Sequence, residues 1–276
     1  MATPRQPRPR RFRLDRLLVE RELVESRSRA QALVLAGKVR VGGRAACKPG
    51  SLCPADATIE IVETDHPYVS RGGLKLAHAF EQFGVSAQNA VAIDVGASTG
   101  GFTDCLLQRG AARVYAVDVG AGQLHWRLRN DQRVVVVERC NARYLKPADL
   151  PERFDLAVVD VSFISLTKVL PAVAGLLRPS ADVVMLIKPQ FEAGRREVGQ
   201  KGVVRDPAVR RRILESFWNA MAEYGWEPVG LVASPIVGPK GNREYLLAAT
   251  TLAQPRTRRL HATPDFTALA KSEPRS

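Results

Sequence analysis

Four long apolar runs constrain this chain more than anything else in it. VAIDVG (91–96), VYAVDVG (114–120), LAVVDVS (156–162) and VVMLIKP (183–189) are each apolar almost throughout and each close on a polar residue or a glycine. Runs without an apolar–polar alternation belong to strands covered on both faces, which is the condition of a parallel sheet sandwiched by helices. In such a sheet the ligand edge lies at the carboxyl ends of the strands. The residues that stop the runs, Asp94, Asp118, Asp160 and Lys188, are therefore the first candidates for function.

The intervening segments complete an alternating pattern. Strands are expected over 91–95, 113–118, 134–137, 155–160 and 183–188, with helices over 100–107, near Leu124 and over 166–177. A helix over 207–224 and strands over 229–232 and 244–251 follow. The fold class read from this is α/β, a doubly wound, Rossmann-like sheet.

The N-terminal part is built differently. Residues 1–11 carry Pro and Arg with no apolar anchor and are expected to be a disordered basic arm. Leu14, Leu17 and Leu18 lie at helical spacing and Leu23 and Val24 extend the pattern. Ser26 then opens a second helix through Ala32, Leu33 and Leu35 that stops at Gly37. Val39 to Val41, the Gly42-Gly43 turn and a strand over 58–62 add a small sheet. A net charge of +13, spread over both halves of the 276 residues, calls for a polyanionic partner, and nucleic acid fits best. Cys47, Cys53, Cys105 and Cys140 lack Cys-x-x-Cys or Cys/His spacing, so neither a metal site nor a disulfide framework is expected.

The run LDRLLVERELVESRSRAQALVLAGKVRVGGRAACKPG resembles the S4 RNA-binding domain, in its Leu-Asp start, its Ser-Arg before the second helix and its Gly-x-Val-x-Val turn. Gly43 stands where many members have Asn, and both tolerate a positive φ. The resemblance implies RNA-backbone contacts by Arg27, Arg29, Lys38, Arg40, Arg44 and Lys48, with Arg71 added at the entry to the larger domain. An α+β domain over 12–62 is thus expected, joined by a linker over 63–70 to a domain over 71–252, with a flexible tail over 253–276.

In AIDVGASTGGFTDCLL, a strand end carrying Asp94 runs into a glycine loop and a helix start. The segment Gly96, Ala97, Ser98, Thr99, Gly100, Gly101 and Phe102 offers backbone N–H groups to a ligand. The spacing is not the G-x-G-x-x-G of dinucleotide enzymes, and Asp94 would repel a pyrophosphate while tolerating an ammonium. Asp118, with Val119 beside it, is placed to accept both hydroxyls of an adenosine ribose, and Asn141 to reach the adenine or merely to form a turn. Together these resemble the S-adenosylmethionine site of Rossmann-like methyltransferases, with Asp160 also near the donor.

Lys75, Asp160, Lys188 and Glu244 are polar residues in apolar contexts, and they resemble the Lys-Asp-Lys-Glu tetrad of FtsJ-like ribose 2′-O-methyltransferases. From the S4-like start through VSRGGLKL, DVGASTGGFTD, DVSFIS, KPQFE, KGVVRDP and GNREY, residues 12–250 resemble the TlyA family. The triplet His66, Pro67, Tyr68 departs from the Arg-Ala-Trp version of some members. The resemblance implies methylation of a cytidine ribose in ribosomal RNA or ribosomal subunits by a cytoplasmic, monomeric enzyme that needs S-adenosylmethionine and no metal.

A ribose hydroxyl is a weak nucleophile, so some group must receive or steady its proton. Lys188 is the candidate, its ammonium expected to be disfavoured by burial and by Lys75, with Asp160 orienting it and Glu244 holding Lys75 or the ribose. Phe163, Phe191 and Tyr245 are candidates to stack on an extruded base or, equally, to fill the core. Two other readings stand beside this one: an RNA-binding ribosome-assembly factor, and a cytolytic protein matching the family's older haemolysin label. A cytolysin would call for a signal peptide or a long amphipathic or apolar segment, and neither secretion nor a membrane span is expected from these residues.

Overall fold

The computed structural model describes residues 11–24, 26–35, 37–46, 48–61, 66–251 and 263–272. The chain divides into two compact units, Met1–Pro67 and Tyr68–Ser276.

The first unit runs β1 (Arg11–Arg13), α1 (Leu14–Glu20), α2 (Arg27–Leu35), β2 (Val39–Val41), β3 (Arg44–Ala45), β4 (Leu52–Pro54) and β5 (Ile59–Ile61). Leu14, Leu17, Leu18, Ala30, Leu33 and Val34 from the two helices close over Val39 and Cys53. Each fully buried Leu or Val contributes about 1.5–3 kcal/mol, which makes this small core the main support of the unit. Gly42 and Gly43 both have positive φ, 58° and 75°, the pair of left-handed residues that a tight turn between β2 and β3 requires. The helix pair and its second sheet strand stand where the sequence puts them. Three expectations change. Arg11, assigned to the disordered arm, pairs with Pro54 in an unforeseen two-stranded ribbon, while residues 1–10 lie outside the described residues. The first helix ends at Glu20, leaving Leu23 exposed. Of the expected linker, residues 63–65 lie outside the described residues, whereas Tyr68 is buried in the second unit's core.

That second unit contains α3 (Gly72–Phe83), β6 (Val91–Val95), α4 (Gly101–Gln108), β7 (Arg113–Val117), α5 (Trp126–Arg129), β8 (Val134–Val137), β9 (Phe154–Val159), α6 (Leu170–Leu176), β10 (Leu177–Ile187), α7 (Pro189–Glu192), α8 (Pro207–Ala220), β11 (Trp226–Ala233), β12 (Tyr245–Thr251) and α9 (Phe266–Lys271). Its seven-stranded sheet has the order β11-β12-β10-β9-β6-β7-β8. The pairs β6–β7, β7–β8, β6–β9 and β9–β10 are parallel, and β12 is antiparallel to both of its neighbours. One face packs on α3 and α4 through Leu76, Phe80, Phe102 and Leu106, the other on α6 and α8 through Val173, Leu176, Leu214 and Phe217.

The switch in direction at β12 has a local consequence. Ile187 at the end of β10 pairs with Tyr245 at the start of β12, which sets Lys188 and Glu244 side by side at one edge. The expected helix over 166–177 is broken: Leu166–Lys168 is a tight 3-10 turn, α6 follows, and β10 already begins at Leu177. Of the expected flexible tail, residues 253–262 and 273–276 lie outside the described residues, and 263–272 hold a short helix. Asp265 caps α9 by accepting from the backbone N–H groups of Thr267 and Ala268 at 2.9 and 3.0 Å. Phe266 then packs edge-on against Trp218, and the buried Arg210 donates to the carbonyl of Ala270 at 3.0 and 2.8 Å.

Candidate active site

Two adjoining cavities open at the carboxyl ends of the parallel strands. The larger, about 460 Å³, is lined by Gly96, Ser98, Asp118, Val119, Asn141 and Asp160, with Gln123, Cys140, Ala142, Ile164 and Val169 completing the wall. The smaller, about 260 Å³, is lined by Lys188, Gln190, Phe191, Val198, Gly202, Lys240, Asn242 and Glu244. Ser162 and Phe163 line both. Such volumes, with mostly apolar walls and a few convergent polar groups, are those of small-molecule sites.

The glycine loop builds the first cavity. Gly96 has φ 90°, and a Cβ there would lie 2.4 Å from the carbonyl oxygen of Asp160, so the turn after β6 lies directly on the turn after β9. Asp118 accepts from the backbone N–H of Ser98 at 2.8 Å and from that of Gly120 at 2.7 Å. A carboxylate has about four acceptor positions, so two remain for a ligand's hydroxyls. Asn141 accepts from the N–H of Arg143 and caps the turn Ala142–Tyr144, which leaves its amide NH₂ to face the cavity. The turn-forming alternative for Asn141 is thus realised while the residue still lines the wall.

Other expected cofactor residues stand elsewhere. Ala97 and Phe102 are buried in the core, and Gly101 lies against Ser70, Gly72 and Gly73 at the start of α3. Thr99 is exposed, and its carbonyl accepts from the N–H of His125; Gly100 lies against Leu124 and Leu128. None of these five lines the cavity. Asp94 also sits behind the wall, fully buried, with one carboxylate oxygen accepting from the hydroxyl of Thr103 at 2.6 Å and the other without a protein partner. Burial, reinforced by the charges of Asp160 and Asp118 and opposed by the Thr103 hydrogen bond, pushes its carboxyl up to about 7.

The tetrad resolves into two ion pairs. Lys188 Nζ lies 2.5 Å from Asp160 Oδ1 and donates to Ser162 Oγ at 2.8 Å. Lys75 Nζ lies 2.5 Å from Glu244 Oε2. Each lysine is thus matched to its own carboxylate rather than to the other lysine. Lys188 and Glu244 face the smaller cavity, Asp160 the larger. The Lys188–Asp160 pair therefore spans the two.

Of the three aromatic candidates, Phe163 is 91% exposed, with a left-handed backbone at φ 65°. Its ring centroid lies 5.2 Å from that of Phe191. Tyr245 is fully buried among core residues, which removes it as a stacking surface. Ser162, Gln190, Lys240 and Asn242 were not singled out from the sequence. Ser162 and Gln190 each lie two residues past a singled-out residue and could have been found, whereas Lys240 and Asn242 reach the cavity from the segment before β12.

In the first unit, Ser26 Oγ accepts from the N–H of Arg29, the predicted cap of α2. Arg27 donates to Asp15 at 3.0 Å, as do Arg13 and Gln31. These partners, Arg13 first, hold the Asp15 carboxyl well below the usual range. Arg40, Arg44 and Lys48 are exposed, whereas Lys38 and Arg29 are half-buried neighbours. Arg71 is exposed at the start of α3.

A seven-stranded sheet with one antiparallel strand, a glycine turn and acids at neighbouring strand ends defines a Rossmann-like methyltransferase. Residues 68–251 match the FtsJ-like methyltransferases and residues 12–59 the S4 domain. The chain belongs to the TlyA family within the FtsJ-like methyltransferases. It is 50% identical to "16S/23S rRNA (cytidine-2'-O)-methyltransferase TlyA" of Mycobacterium tuberculosis, over 86% of this chain and 89% of that one. A solved structure described as a hemolysin from Streptococcus thermophilus is 40% identical, with TM-score 0.72 and 94% of both chains covered. A Listeria monocytogenes protein described as an S-adenosylmethionine dependent methyltransferase shares the fold at 13% identity, with TM-score 0.51 over 66% of this chain and 98% of that one. Among the described residues, no helix is long and apolar enough to cross a membrane.

Proposed function

We propose that this chain methylates a ribose 2′-hydroxyl of ribosomal RNA, with cytidine as the nucleoside and S-adenosylmethionine as the donor. The carrying observation is that the Lys188–Asp160 pair joins a donor-sized cavity to a second cavity, with Ser162 and Phe163 common to both.

The larger cavity fits the donor. Asp118 has acceptor positions left for ribose hydroxyls, Val119, Ala142 and Ile164 provide apolar walls, and the amide of Asn141 lies within the lining. Asp94, buried behind this wall, would when ionised favour a cationic donor over an anionic one. When bound, S-adenosylmethionine supplies an electrophilic methyl group on a sulfonium.

The smaller cavity takes the sugar. Lys188, fixed by Asp160 and Ser162, meets the hydroxyl oxygen and either receives its proton or steadies the charge that develops there. Glu244, held by Lys75, positions the ribose from beside Lys188. Phe163 and Phe191 stack on the extruded base, as modification within folded RNA demands. The S4 domain grips backbone phosphates with Arg29, Lys38, Arg40, Arg44 and Lys48, Arg27 adds to this face from its place on Asp15, and Arg71, in the second unit, offers a further phosphate contact. A cytoplasmic monomer acting on ribosomal subunits accords with this chemistry.

The test is incubation of the purified chain with methyl-labelled donor and ribosomal RNA or subunits, followed by mapping of 2′-O-methyl groups. Label at a discrete cytidine ribose is expected. A chain that takes up no donor even with RNA present would end this reading.

A further inference from the structure

One carboxylate outside the tetrad ties the two walls of the ribose-side cavity together. The turn after β9 carries Asp160, Ser162 and Phe163, and α7, which begins one residue after Lys188, carries Gln190, Phe191 and Glu192. Glu192 accepts with both oxygens, from the Ser165 hydroxyl at 2.6 Å and from the backbone N–H of Leu166 at 2.9 Å. Leu166 itself is buried, so this clasp closes where the turn re-enters the core.

Such a carboxylate is costly to enclose unless its lone pairs are engaged. Glu192 is half-buried, and burial pushes its carboxyl up, with Ser165 and Leu166 opposing. Lys188 already holds the start of this turn through Asp160 and Ser162, and Glu192 fixes its far end, beyond Phe163. Phe163 is almost wholly exposed and left-handed, a conformation that costs a non-glycine residue about 1–2 kcal/mol, and its ring neighbour is Phe191, next to Glu192. A conformation of that kind persists only where surrounding bonds over-determine it.

We infer that Glu192 is a positioning residue for methyl transfer. It locks the 160–166 turn in register with the segment that bears Lys188, so that Asp160, Ser162 and Phe163 present one fixed geometry to the sugar. This rests on the proposed ribose chemistry. Glu192 touches neither donor nor sugar and acts through the groups it aligns. Misplacing a reacting group by about 1 Å costs on the order of 100-fold in rate.

The experiment compares the full-length chain with Glu192→Ala and Glu192→Gln. Donor Kd is read by calorimetry, kcat and KM with ribosomal RNA, and the Leu166 amide by hydrogen exchange. Glu192→Ala should lower kcat by about 100-fold, leave donor Kd within about twofold and speed Leu166 exchange. Glu192→Gln, whose amide can accept from the Leu166 N–H and donate to Ser165 Oγ, should recover most of the rate. Native kcat in Glu192→Ala, loss of donor binding in step with kcat, or unchanged Leu166 exchange would each overturn the inference. Should Glu192→Ala fail to fold, Ser165→Ala removes one of the two bonds and must show a smaller kcat loss with donor Kd unchanged. If the native chain methylates no RNA, the ribose reading fails, while the exchange result still judges whether Glu192 holds the turn.

Discussion

Lys188 and Asp160 meet at 2.5 Å although they belong to different cavities, one lining the smaller and the other the larger. The pair is therefore a shared wall as well as an ion pair. Lys188→Ala is expected to lower kcat by about 100-fold or more, since it removes a group that acts only as charge develops. It also leaves Asp160 uncompensated beside the donor cavity, so binding of a cationic donor should be unchanged or tighter. Single-turnover kinetics and calorimetry with S-adenosylmethionine check both halves.

Phe163 separates stability from function. Its side chain buries almost nothing and its φ of 65° suits glycine better. Phe163→Gly should raise the thermal midpoint slightly, by the order of 1 kcal/mol of relieved strain, while weakening turnover on RNA. Calorimetric unfolding and methylation of the same preparation measure the two effects. A variant that is less stable and fully active would refute this assignment.

Asp94 sets a pH dependence. The unfolded chain releases this proton near pH 3.8, whereas the folded chain without donor keeps it to about 7. The folded state therefore binds more protons across that window, and stability declines as pH rises through it. Glu192 shifts in the same direction. Asp94→Asn, whose amide oxygen can still accept from Thr103, should flatten the decline and leave the variant more stable than the parent at pH 8 but not at pH 4. The same change should weaken donor binding. Thermal melts across pH, with and without donor, provide the check.

The exposed Arg40 and Arg44 can be reversed without touching the core of the first unit. Arg40→Glu with Arg44→Glu should weaken RNA binding and reduce the slope of log K against log salt by about 0.7–0.9 for each phosphate that is no longer neutralised. Filter binding at several salt concentrations measures it. Asp15→Ala, in contrast, should destabilise the unit, because three donors lose their common buried acceptor.

Much of this was legible in the sequence because buried parallel strands write themselves as unbroken apolar runs, and the residues ending those runs become the site. Asp118, Asp160 and Lys188 stand at the strand ends for that reason. The pairing of each lysine with a carboxylate was not legible, since it depends on β12 entering antiparallel beside β10, which no local pattern specifies. The glycine loop misled at Gly101, where the missing side chain serves the approach of α3 and α4 rather than a ligand. α9 escaped notice because six residues are too short to carry a periodic signal, and its packing comes from Arg210 and Trp218, far away in the chain.

The close seating of Gly96 on the carbonyl of Asp160 has a consequence for anyone designing inhibitors or variants. A compound that levers the loop after β6 outward need not reach the smaller cavity to disturb it, because moving that loop drags the backbone that carries Asp160. Resistance by enlarging position 96 is closed to the protein for the same steric reason.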